Sequence, residues 1–203
     1  MSDFIVSKSN EEAFAMVEEW REWPGHAAAL VGPSGSGKSH LGLAWVDEND
    51  AQVFTPGADI SALATGCMVF AEGIDTGEYS ETELFHLFNW VKENSGKLLL
   101  TAETAPSSWK IELPDLRSRV ATLLVGSLYE PDDELLSVLL IKLFSDRQLQ
   151  VDMNVLNYVL PRMERSFSAI QEFVSSVDAA ALADKKRITR TLAKTCLLEL
   201  AGK

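Results

Sequence analysis

Eight consecutive residues, Gly32-Pro33-Ser34-Gly35-Ser36-Gly37-Lys38-Ser39, follow the pattern G-x-x-x-x-G-K-[ST] of a phosphate-binding loop. Each type has a physical reason to be there. Glycines let the backbone turn so that successive N–H groups aim at one set of phosphate oxygens. A helix starting at the loop adds its positive end to the same anion. In such a loop Lys38 reaches the β- and γ-phosphates, and the Ser39 hydroxyl is a ligand for Mg²⁺. The competing reading is a Gly/Ser-rich turn with a chance lysine. Against it, the apolar run Ala27–Val31 precedes the loop as a buried strand would, and Leu41, Leu43, Ala44 and Trp45 follow it as a helix would.

The elements that must hold this loop alternate along the first part of the chain. A helix is predicted over Glu11–Trp20, capped by Asn10 and ended by Pro24-Gly25. Strands are predicted at 27–31, 51–55, 67–71, 97–101 and 122–125, with a helix at 38–46 and a single turn within 58–66. Ser80–Asn94 reads as a helix, with Ser80 and Glu83 in capping-box spacing and Leu84, Phe85, Leu87, Phe88 and Val91 at helical spacing. Strands separated by helices imply a parallel sheet with helices on both faces. After Tyr129 only helices are predicted. Pro131 and three acids open the first, Asp152 the second, Phe167, Ile170, Val174 and Val177 line the third, and Thr189 opens the fourth. The expected organisation is a P-loop α/β domain over 1–128 and a small all-helical domain over 129–203.

Composition sets limits on function. At 203 residues the chain can form one sizeable core and a smaller one. No stretch approaches the ~20 apolar residues of a membrane span. The start lacks the pattern of a signal peptide, and two cysteines, Cys67 and Cys196, make no disulfide framework, so a cytoplasmic protein is expected. The net charge of −12 argues against an autonomous DNA-binding domain. One cluster, Lys185, Lys186, Arg187, Arg190 and Lys194, runs against that sign; it reads either as a solvated helix junction or as a contact for an acidic partner or nucleotide. The five tryptophans, Trp20, Trp23, Trp45, Trp90 and Trp109, read as core anchors.

Several stretches resemble the AAA+ ATPases of the DnaA/Hda group, closest to its Hda-like regulatory inactivators. Phe4-Ile5-Val6 with Asn10 is similar to the segment that packs beside adenine. Leu98–Trp109 is similar to the sensor-1 strand and its loop, and Leu113–Val120, "LPDLRSRV", to the segment bearing the arginine finger. The runs "DDELLSVLLIKLFSDRQLQVD" and "LPRMERSFSAI" are similar to the helices of the lid. The resemblance implies an AAA+ sheet followed by a helical lid. It implies ATP or ADP with Mg²⁺, held by the loop together with Phe4, Val6, Asn10 and His40, and possible homo-oligomers. It implies a role in replication initiation, with a DnaA-like initiator as partner and Arg119 as the finger that promotes hydrolysis of that partner's ATP. Arg117 and Arg119 also read as ordinary residues of a solvent-facing turn.

The chain departs from the family's pattern in places. Ala71 stands where the first acid of the Mg²⁺-binding strand end is expected, leaving Glu72 to supply a carboxylate, with Asp75 further along. Thr101 and Glu103 are candidates for orienting water. Ser168 stands in place of the sensor-2 arginine, near Arg162 and Arg165. These departures predict weak or absent intrinsic hydrolysis. No glutamine-and-leucine clamp-binding peptide precedes Phe4, which argues against a sliding clamp as partner through that route, and no helix-turn-helix pattern follows the lid. The alternative reading is a self-sufficient P-loop ATPase or small kinase, although the leucine-rich lid lacks a kinase's arginines. A third is a scaffold that nucleotide merely stabilises.

Overall fold

Ala27–Val31 carries no polar side chain, and a strand apolar on both faces must be covered on both. The computed structural model, which describes residues 4–184 and 187–201, places this segment inside a parallel sheet as β1. β2 (Gln52–Phe54), β3 (Met68–Ala71), β4 (Lys97–Ala102) and β5 (Leu124–Ser127) complete the order β2-β3-β4-β1-β5. Ala28 lies opposite Leu99 of β4 and Leu124 of β5, and Leu30 opposite Thr101 and Gly126. The last strand starts two residues later than its apolar run predicts.

Alternation along β1 feeds two cores. Ala28 and Leu30 pack with Ala13 and Val17 of α1 (Glu11–Glu18) and Leu41 and Trp45 of α2 (Lys38–Asn49). Ala29 and Val31 pack with Leu84, Leu87 and Val91 of α3 (Glu81–Glu93) and Leu116 and Val120 of α4 (Pro114–Val120). α3 begins with the full capping box, Ser80 and Glu83 each accepting from the other's backbone N–H. The first helix is shorter than predicted: it ends at Glu18, and Trp20–Glu22 tightens to a 3₁₀ turn. There Trp23 donates from its indole N–H to the Met16 carbonyl at 2.8 Å. Trp45 stacks on Trp23 at 6.1 Å and meets Trp20 edge-on at 6.4 Å, so three of the five tryptophans form one cluster under α2.

The chain separates into two compact units, Met1–Tyr129 and Glu130–Lys203. The second contains α5 (Asp133–Asp146), α6 (Met153–Val159), α7 (Phe167–Asp184) and α8 (Arg190–Ala201). Leu136, Leu140 and Phe144 pack against Ile170, Phe173, Val174 and Val177, with Ala193 and Cys196. Asp132 caps α5, accepting from Leu135 N–H at 2.7 Å, and Thr189 accepts from Leu192 N–H at 3.3 Å. Asp152 occupies the cap position of α6 without a side-chain bond; its backbone carbonyl takes the Val155 N–H. Lys185 and Lys186 lie outside the described residues. Among the described residues no helix is long and apolar enough to cross a membrane.

α2 meets the sheet at Gly42, where an added Cβ would lie 2.2 Å from the ring of Phe70, itself fully buried in β3. Alanine in a helix interior normally gains about 1 kcal/mol over glycine. Overpacking against an immobile ring outweighs that gain, so Gly42→Ala is expected to destabilise by about 1–2 kcal/mol. A lower urea midpoint with unchanged slope is the expected readout.

Candidate functional site

The loop geometry follows from its glycines. Gly35 (φ 74°) and Gly37 (φ 99°) adopt the left-handed backbone that side chains disfavour. Gly32 is required for a different reason: a Cβ there would sit 2.2 Å from the Leu128 carbonyl oxygen. Its N–H donates to Ala102 O at 3.2 Å, and Leu128 N–H donates to Val31 O at 2.7 Å. The loop is thus pinned to both neighbours of β1. The Ser36 hydroxyl is buried and has no hydrogen-bond partner among the described residues.

Lys38 and Ser39 open α2. The Lys38 ammonium donates to Gly32 O at 2.7 Å and Pro33 O at 2.8 Å. Burial pushes its pKa below the ordinary value, while the charges of Glu103, Asp75 and Glu72 oppose the shift. Three acids therefore surround the one loop cation. The Ser39 hydroxyl donates to a Glu72 carboxylate oxygen, which brings together the two groups expected to address Mg²⁺. Among the described residues no three His, Cys, Asp or Glu side chains converge to hold a metal alone. The hydroxyl and carboxylate oxygens of Ser39 and Glu72 are donors of the kind that suit Mg²⁺, which takes one or two protein ligands and fills its octahedron with phosphates and water. The turned loop, the helix start and the partnerless Ser36 hydroxyl fit a polyphosphate.

Ala71 ends β3 fully buried. Asp75, which follows Glu72 by three residues, is committed elsewhere. Its carboxylate accepts from Glu103 N–H at 3.0 Å, Thr104 N–H at 2.8 Å and the Thr104 hydroxyl at 2.6 Å. Burial would raise its pKa, but these hydrogen bonds outweigh burial and hold it below the usual range. Thr101 is 2 % exposed, and its hydroxyl accepts from Gly73 N–H at 2.9 Å. Thr101 and Asp75 thus tie the turn after β3 to the turn after β4. Glu103 itself is exposed and near Lys38.

The segment before α1 lies against the start of α2. Phe4 stacks on Phe14 at 5.6 Å and on His40 at 5.5 Å, placing both next to Ser39. Asn10 sits at the cap position of α1, but its side chain turns back rather than capping. It accepts from Ser7 N–H at 2.9 Å and donates to Ile5 O at 3.1 Å. That reversal holds the Phe4 segment in place. Val6 is 45 % exposed.

Arg119 lies elsewhere. The sequence suggests a solvent-facing turn, but Pro114 at the first helical position starts the seven-residue α4, and Arg119 is half-buried on it. Its Nη2 donates to Asn89 Oδ1, and its guanidinium covers the Phe85 ring at 5.5 Å. It lines a recess of about 560 Å³ with Gly25, His26, Lys92 and Asp115. Gly25 and His26 precede β1, whereas the phosphate loop follows it; five residue steps of strand, about 16 Å, intervene. Arg117 is exposed and donates from Nε to Ile111 O at 3.0 Å. In the second unit Arg165 pairs with Asp133 at 2.6 Å and Arg162 covers the Tyr158 ring at 4.3 Å, so both have local roles. Ser168 shares a hydrogen bond with Ser166 at 3.1 Å.

Residues 132–197 match the model of the family described as "Hda, lid domain". The DnaA initiator of Tropheryma whipplei is 25 % identical over 231 aligned positions, covering 98 % of this chain and 48 % of that protein. The chain thus spans about half the length of such relatives. Domain III of the Thermotoga maritima replication initiation protein DnaA superposes with a TM-score of 0.80 at 18 % identity, covering 98 % of this chain and 95 % of that one. AMPPCP-bound DnaA from Aquifex aeolicus superposes at 0.69 with 19 % identity, over 86 % of this chain and 63 % of that one.

Asp75→Asn is expected to loosen the two joined turns and cost about 1 kcal/mol near pH 7, a hydrogen-bond value discounted for solvent. Because the folded pKa is depressed, the contribution of Asp75 is full well above its unfolded pKa of about 3.9. It is lost as pH falls through the lower folded value. Wild type and variant should therefore differ in urea stability at pH 7 and converge below pH 4.

Proposed function

We propose that this AAA+, DnaA/Hda-like protein binds an adenine nucleotide at its 32–39 loop and acts on a DnaA-like replication initiator, presenting Arg119 to the initiator's ATP. The observation that carries the reading is the place of Arg119. It sits at the far end of β1 from its own loop, and arginine is too short to span that length of strand. That separation supports reading its charge as one for another molecule's phosphates. Arginine suits the task because its planar fork is always charged and matches phosphate oxygens in pairs. The match of the second unit to the Hda lid family supports the same assignment, and the nucleotide analogue in a DnaA of this fold supports adenine-nucleotide binding.

The roles of the chain's own groups follow. The loop N–H groups and the start of α2 take the phosphates, with Lys38 leaving its two carbonyls for them. Ser39 and Glu72 would hold Mg²⁺ through oxygen, and the metal would neutralise phosphate charge. Phe4 and His40 offer a stacking surface at the same helix start. Hydrolysis by the protein alone should be slow. Ala71 supplies no acid, Asp75 is bound to backbone, and Thr101 is tied to Gly73. The protein is proposed to work in the cytoplasm, through protein contacts, since its charge of −12 repels DNA. The sliding clamp and a second copy of this chain are further candidate partners.

Nucleotide should raise the melting temperature by several degrees at a hundredfold excess over Kd, equivalent to about 2.7 kcal/mol. Lys38→Ala should erase most of that rise; equal shifts in both proteins reject the site. In single-turnover hydrolysis of ATP preloaded on DnaA, with clamp and DNA added or omitted, the protein should accelerate the step about 10³-fold, as arginines supplied in trans do. Arg119→Ala should abolish the acceleration while keeping the thermal shift. Unchanged hydrolysis under every condition rejects the trans role.

The Ser39–Glu72 contact favours a second reading, a self-sufficient ATPase. Turnover by the isolated protein at or above ~1 s⁻¹, abolished by Glu72→Gln, would establish it. Far slower turnover is expected.

A further inference from the structure

α4 has no side-chain cap of its own. Its cap position is Leu113, whose side chain accepts nothing, and Pro114 follows. The N–H groups that lead into it are taken from outside, by one carboxylate. Glu81 Oε1 accepts from Glu112 N–H at 2.8 Å and Oε2 from Leu113 N–H at 2.7 Å. Glu81 is the first residue of α3, where it also faces the positive end of its own helix.

The same helix grips α4 at its other end. Phe85 and Asn89 follow Glu81 at intervals of four, so the three share one face of α3. Phe85 lies under the Arg119 guanidinium and Asn89 accepts from it. α3 is a firm base, with a complete capping box and Leu84, Leu87, Phe88 and Val91 buried. α4 is only seven residues long, too short to hold its own geometry. Its start is fastened by a carboxylate and its end by an amide and a ring.

We propose that Glu81 is the positioning residue for Arg119: its two hydrogen bonds set where α4 begins and hence where the guanidinium is presented to the partner's nucleotide. This rests on the trans role assigned to Arg119 above. Glu81 touches neither nucleotide nor partner in this role. It acts through α4, and a guanidinium misplaced by about 1 Å can cost on the order of 100-fold in rate. The Glu112 and Leu113 N–H groups, aided by the charge of Arg117, hold the Glu81 carboxyl below the usual range, so it stays an acceptor through neutral pH.

The test is single-turnover hydrolysis of ATP preloaded on DnaA, at increasing concentrations of wild-type protein, Glu81→Ala, Glu81→Gln, Arg119→Ala and the Glu81→Ala/Arg119→Ala double variant. Glu81→Ala is expected to lower the maximal rate 10- to 100-fold, with its half-saturating concentration and its own nucleotide thermal shift unchanged. Glu81→Gln, which keeps one acceptor oxygen, should fall between and supplies the result if the alanine variant unfolds. The double variant should be no slower than Arg119→Ala, because the two residues act in series. Acceleration by wild type and equal acceleration by both Glu81 variants overturns the positioning role alone. A double variant slower than Arg119→Ala does the same. No acceleration by wild type overturns the trans reading and this role with it.

Discussion

The burial of β1 on both faces is the constraint on which the rest depends. Ala28, Ala29 and Leu30 are fully buried, and β4 and β5 flank the strand. A strand so enclosed cannot shift by one residue without exchanging its two faces. The loop that leaves it therefore starts from a fixed point, and the Gly32 and Leu128 hydrogen bonds carry that certainty into the first turn. Lys38, Ser39 and the Phe4–His40 stack inherit their positions from it. The glycine at 32 follows from the same crowding, since the backbone of β5's exit lies where a side chain would be.

A chain with 30 acidic residues and 18 basic ones is expected to use its acids for solubility. Here several do structural work as acceptors for backbone N–H groups. Asp75 holds the turn after β4, Glu81 the start of α4, Glu83 the N–H of Gly57, Asp59 that of Ser61 and Asp132 that of Leu135. They satisfy donors at loop and helix starts, where no ladder partner exists. In the first unit Asp75, Glu81 and Glu83 thereby tie segments that lie 26 to 32 residues apart in the chain.

How much of this was legible follows from the range of the interactions. β1, β3 and β4 are short apolar runs, and their length and the turn residues that bound them predict strands. α3 is written in a local pattern, Ser80 to Glu83, and forms with the capping box it implies. That the sheet is parallel follows from the α/β alternation; its order, with β1 between β4 and β5, is set by long-range pairing that the sequence does not display. α4 was missed because seven residues show less than two periods, and its cap lies 31 residues away in Glu81. The structural roles of Asp75 and Thr101 had no local signal, because their partners are 28 or 29 residues distant. Asn10 was placed correctly at a helix start, yet its side chain faces Ser7 and Ile5, which helix rules do not address. The contact of Asn89 with Arg119 has no sequence signal at all.

The tryptophan cluster has an optical consequence. Trp45 is fully buried on the same helix as Lys38 and Ser39, two turns further on, with Trp23 stacked on it and Trp20 at its edge. Indoles in such contact exchange excitation energy, and their emission depends on spacing and on access of water. Any movement of the helix that follows the phosphate loop changes both. The protein thus contains, without any added dye, a fluorophore wired to the helix that leaves its 32–39 loop.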